Sequence, residues 1–118
     1  MRRPVHPALT VAIDAAVVIL FAALGRRSHD EGGALGGVLD TAWPFLAGLA
    51  LGHLLVRGSA SLRAGSVVWG CAVVGGMLLR RLTGDGTAWS FVLVATGFLG
   101  ALLLGWRLAS RLLVARRR

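Results

Sequence analysis

Charge is scarce in this chain, and lysine is missing from it altogether. Charged residues fill 15% of the 118 positions, against roughly 25% in ordinary soluble domains. With 56% apolar residues and a mean hydropathy of +0.75, the chain points to membrane residence and leaves little length for a separate soluble domain. Cysteine is almost absent as well. Cys71 stands alone in an apolar run, which excludes an intrachain disulfide and a cysteine-rich metal site and leaves a small packing residue. There is no Ser/His/Asp or Cys/His catalytic spacing and no pair of carboxylates set for acid–base work. The glycines at 32–33 and 36–37 are followed by no Walker lysine, so they are not a phosphate loop. Neither an enzyme nor a cofactor is expected.

What is present is arginine. All thirteen basic residues are Arg, against five acidic ones, for a net charge of +8. They cluster at the ends of apolar runs and form no continuous basic face, so nucleic acid is not an expected partner. At such positions arginine snorkels to lipid headgroups or sets topology. Met1-Arg2-Arg3 followed by an apolar run has the look of a signal peptide. Only further apolar segments follow it, however, and Asp14 lies within the run, so a retained first membrane helix is the better reading. The surroundings of a twin-arginine signal are lacking.

The apolar segments are Ala8–Gly25, Leu39–Val56, Ala64–Leu79 and Ala88–Ala109, each near the 17–25 residues that cross a core of about 30 Å. The expected fold is all-α: one domain over 1–118 with four transmembrane helices. Two pentapeptides, Thr41-Ala42-Trp43-Pro44-Phe45 and Thr87-Ala88-Trp89-Ser90-Phe91, each follow an arginine pair, Arg26-Arg27 and Arg80-Arg81. That placement describes two parallel repeats of a helical hairpin. Arg2, Arg3, Arg57, Arg63, Arg107, Arg111 and Arg116 to Arg118 fall on the side of both termini, nine against the four of the two pairs. The positive-inside rule then puts both termini in the cytoplasm of a multi-pass cell-membrane protein. Trp43, Trp69, Trp89 and Trp106 fall near span ends, where interfacial anchors belong. Small residues recur one turn apart at Gly48/Gly52, Cys71/Gly75, Ala72/Gly76 and Gly97/Ala101/Gly105. Such faces serve packing within the bundle or a homodimer.

Asp14 is the sharpest single residue. An Asp near the centre of a membrane helix costs roughly 2.5–3.5 kcal/mol on insertion scales, and something must offset that. His53 and Arg107 lie at similar depth; read singly they are an interfacial histidine and a snorkelling anchor, and in a compact bundle they can converge with Asp14 in its inner half. There they form either a proton or ion site, with imidazole as relay, or a buried salt bridge. The outer face carries a second polar group: Arg26, His29, Asp30 with Glu31, Asp40, Arg80 and Asp85. No metal-ligand spacing is present in it, so a solvated loop surface is expected. Asp40 or Thr41, and Asp85 or Thr87, are placed to cap spans two and four, with Pro44 in a first helical turn.

Through Asp14, Gly25-Arg26-Arg27-Ser28-His29, the Thr41–Phe45 run, Phe91 and Gly105-Trp106-Arg107, the chain resembles a family of small four-span prokaryotic membrane proteins known as domain of unknown function 3054. The resemblance implies an acidic residue in helix one and a Gly-Arg-x-x-His junction after it, and it supplies no activity. In layout the chain is also similar to small multidrug-resistance transporters, which use an acidic residue of the first helix as a proton and cation site. It departs from them in having Asp for Glu, in its fourth span and in its strong charge bias. Two functions are therefore expected. One is proton-linked translocation of an ion or small solute with Asp14 titrating. The other is a structural or accessory subunit with Asp14 salt-bridged and the outer loops binding a membrane protein partner.

Overall fold

The computed structural model describes residues 6–27, 34–84 and 89–116. They form four helices: α1 (Pro7–Arg27), α2 (Ala34–Val56), α3 (Leu62–Leu82) and α4 (Trp89–Arg116). All four are long and apolar enough to cross a membrane, which marks a multi-pass membrane protein. α1 packs on α2 and α4, and α3 packs on α2 and α4. Consecutive helices run antiparallel, because their connections are too short for anything else.

The α2–α3 seam is the closest. A Cβ on Gly48 would collide with the Cys71 carbonyl oxygen, and one on Gly75 would stand 3.1 Å from the Gly48 Cα. Gly52 lies against the backbone of Val68, and Gly76 makes room for the Phe45 ring. Bare Cα atoms allow this approach where lipid offers no hydrophobic drive. The α4 stripe behaves differently. Gly97 and Gly105 have nothing within 4 Å and, with Ala101, are exposed.

Three sequence expectations change. α2 starts five residues before Leu39, at Ala34, so Asp40 and Thr41 are not its caps. Pro44 is the eleventh residue of the helix and fully buried. The lipid-side pattern that begins at Leu39 is preceded by a helical turn rich in glycine, which membrane helices accommodate. Second, Trp43, expected near the start of its span, lies more than two turns into α2. Third, α4 runs to Arg116, past the expected Ala109. The N-cap of α3 is Ser61, extended at φ −69 and ψ 159, whose Oγ accepts from the Ala64 amide at 3.0 Å; it satisfies one of the first-turn donors of α3.

The interior is divided along its length. All four phenylalanines meet at one end. Phe21 lies 5.3 Å from Phe45, 5.8 Å from Phe91 and 5.7 Å from Phe98, centroid to centroid. The buried polar residues Thr10, Asp14, His53 and Arg107 occupy the other end.

Candidate functional site

Helical spacing builds the polar end. On α1, Thr10, Asp14, Val18 and Ala22 recur every fourth residue and are fully buried, so they form one inward stripe. On α4, Ala95, Leu99, Leu103 and Arg107 do the same. The helices are antiparallel, so the polar member of one stripe meets that of the other. α2 adds His53 from its last turn.

Asp14 accepts from four donors. Its Oδ1 takes the Trp106 indole N–H at 2.7 Å and Arg107 Nη1 at 2.9 Å. Its Oδ2 takes Arg107 Nη2 at 2.8 Å and His53 Nε2 at 2.7 Å. The carboxylate pairs with the guanidinium end-on, in a two-pronged geometry that suits both charges. An ionised carboxylate only accepts, so His53 donates from Nε2 and its Nδ1 is left as the acceptor in the neutral ring. That nitrogen is buried and has no partner.

Arg107 is fully buried and is held beyond its ion pair. Nη1 also donates to the Leu103 carbonyl at 3.0 Å, and Nη2 to the Ser59 carbonyl at 3.2 Å. Its guanidinium carbon lies 4.8 Å from the Trp106 ring centroid. Nε is unpartnered. Gly65 is what lets the side chain in, because a Cβ there would stand 2.6 Å from Arg107 Cδ and 3.0 Å from Nε. The α2–α3 connection closes this end. Arg57 takes a left-handed φ of 56°, and Gly58 follows at 70°. A side chain on Gly58 would press on Pro7 at 2.7 Å, so glycine is needed there both for its backbone and for its lack of bulk.

The structure thus brings Asp14, His53 and Arg107 within hydrogen-bond distance and adds Trp106, Ser59 and Gly65. The sequence places Trp106 only as an interfacial anchor. Its position beside Arg107 was the available hint, but indole rings at a span end carry no mark of facing inward. Trp69 also turns its N–H to protein, donating to the Thr96 carbonyl at 3.0 Å. Both indoles thereby tie helices together, while Trp43 and Trp89 are exposed.

The outer polar group is described only in part. Arg80 lies over the Phe91 ring at 4.5 Å, Asp40 is exposed, and Arg26 belongs to the last turn of α1. His29, Asp30, Glu31, Asp85 and Thr87 lie outside the described residues. Among the described residues no three His, Cys, Asp or Glu side chains gather as a metal site.

No curated protein and no solved structure matches the chain. The profile of one family, Protein of unknown function (DUF3054), matches residues 11–110. That stretch takes in Asp14, His53, Trp106, Arg107 and nearly the whole bundle, and the chain belongs to this family.

Proposed function

We propose that the protein is a non-enzymatic structural or accessory subunit of the cell membrane, with both termini cytoplasmic. In this reading Asp14 works as a buried electrostatic tie, and the outer loops are the surface for a partner protein. The observation that carries it is the saturation of Asp14. Two donors on each oxygen fill the four lone-pair sites of a carboxylate, and the residue is fully buried. A substrate cation or a carried proton has to displace Arg107 before it reaches Asp14. The meeting of Phe45 with Phe91 at 6.0 Å supports the parallel hairpin repeat. If a homodimer forms, its face is the open α4 stripe, since the other small residues are spent between α2 and α3.

Proton-linked translocation is the second reading, and one observation favours it: the buried, unpartnered Nδ1 of His53. Two experiments separate the readings. Removing one partner of a buried pair costs about 3–5 kcal/mol, whereas apolar replacement of both is close to neutral. Asp14→Asn is therefore expected to lower thermal stability in micelles sharply, and Asp14→Leu with Arg107→Met to restore it. Proteoliposomes of wild type are expected to show no proton flux under an imposed gradient. Flux in wild type that the restored double variant loses would overturn the structural reading.

A further inference from the structure

The end of the bundle that holds the start of α1, the α2–α3 connection and the end of α4 carries most of the positive charge. Nine arginines belong to that side of the sequence, with Asp14 as its only acid, and Arg107 pairs with that acid at 2.8 Å. Arg57, Arg63 and Arg111 are all exposed. Among the described residues none of the three has an ion pair or side-chain hydrogen bond. They come from the ends of α2, α3 and α4, and the Ser59–Arg107 bond together with the Gly58–Pro7 contact gathers those ends. Arg57 stands in a left-handed backbone conformation that non-glycine residues adopt only at a cost.

Two further features belong to the same end. α4 has 28 residues, about 42 Å at 1.5 Å per residue, so its last turns exceed a hydrocarbon core of about 30 Å. Counting the crossing from Trp89 at the outer boundary puts Arg111 in that excess, at headgroup level. Beside it along α4 is a groove of about 350 Å³ lined by Trp106, Ala109, Ser110, Leu113 and Val114. Four of the five are apolar or aromatic, and the groove reaches from the neighbour of the buried ion pair to the end of the helix.

A basic end without free acids calls for an anionic partner, and an apolar groove on a membrane helix calls for a hydrocarbon one. We propose that this end binds anionic phospholipid. Phosphate groups are taken by Arg57, Arg63 and Arg111, and an acyl chain lies along α4 against Trp106. Arginine suits this role because its planar fork meets phosphate oxygens in pairs. The proposal needs the chain to be in a bilayer but is independent of whether Asp14 is structural or transporting.

The test uses phosphatidylcholine vesicles containing a small, equal fraction of brominated phosphatidylglycerol or brominated phosphatidylcholine. Bromine quenches nearby indoles, and the Trp106 signal is the difference between wild type and Trp106→Phe. Brominated phosphatidylglycerol is expected to quench Trp106 well above its share of the lipid. Each of Arg57→Asn, Arg63→Gln and Arg111→Gln is expected to lower that preference about fivefold, and Arg81→Gln at the other end to leave it unchanged. Mass spectrometry of protein released from mixed micelles counts retained lipids directly and serves if Trp106→Phe does not fold. Equal quenching and equal retention of the two lipids overturns the proposal, as does loss of the preference in Arg81→Gln. Protection of Trp106 from both lipids also overturns it, because the groove is then covered by protein such as a second copy.

Discussion

At the scale of single residues, Arg107 is the decisive one. A fully buried guanidinium is tolerable here because four of its N–H groups are used: two on Asp14 and one each on the Leu103 and Ser59 carbonyls. Its fit depends on an atom that is not there. Gly65→Ala puts a Cβ 2.6 Å from Arg107 Cδ, and overpacking of that kind costs about 1–3 kcal/mol. The expected result is a lower melting temperature together with altered Trp106 emission, because the indole N–H is bound to the carboxylate that Arg107 holds. Gly70→Ala is the matched control on the same helix. Nothing lies within 4 Å of its Cβ, and the gain in helix propensity is worth up to about 1 kcal/mol. If both variants melt alike, Gly65 is not the residue that admits Arg107.

At the scale of helices, two glycine-bearing faces look alike in sequence and have opposite fates. The α2–α3 seam consumes Gly48, Gly52 and Gly75 in backbone contacts and Gly76 against the Phe45 ring, while Gly97 and Gly105 of α4 touch nothing. Gly48→Val is expected to separate α2 from α3 and lower stability by several times the ~1 kcal/mol typical of a point substitution. Gly97→Val is expected to leave stability nearly unchanged. Cross-linking of the two variants in micelles then tests the dimer face. A dimer present in wild type and retained in Gly97→Val removes α4 from consideration.

At the scale of the whole molecule, the bundle has a polar end and an aromatic end. The four phenylalanines fill one half of the interior, and the buried polar residues fill the other. Nine arginines accompany the polar end, and the proposed topology, resting on the positive-inside rule, turns that end to the cytoplasm. Thiol labelling in a Cys71→Ser background checks this. Thr83→Cys, at the α3–α4 end, is expected to react in intact cells with a reagent that cannot cross the membrane. Ala60→Cys, in the α2–α3 connection, is expected to react only after permeabilisation. The reverse pattern inverts the topology and moves the arginine end to the other leaflet.

The existence and number of the helices were legible from sequence because lipid imposes one requirement, about twenty apolar residues per crossing, and composition meets it four times. That Asp14, His53 and Arg107 share a depth was legible too, since depth along a membrane helix is a count of residues. Packing decided the rest. Whether Trp106 faces lipid or Asp14 depends on the rotation of α4 against α1, and one indole at a span end looks the same either way. Gly65 and Ser59 act through the absence of a side chain and through a backbone carbonyl, neither of which has a residue-type signal. The start of α2 is not legible because its first turn, Ala34 to Gly37, is too weakly apolar to announce a crossing, yet its backbone satisfies itself as helix. The sequence alone determined a four-span membrane protein with charge at its ends and one costly carboxylate inside. The tertiary structure decided what becomes of that carboxylate, because only the antiparallel meeting of α1 and α4 sets a guanidinium, an indole and an imidazole on its two oxygens at once.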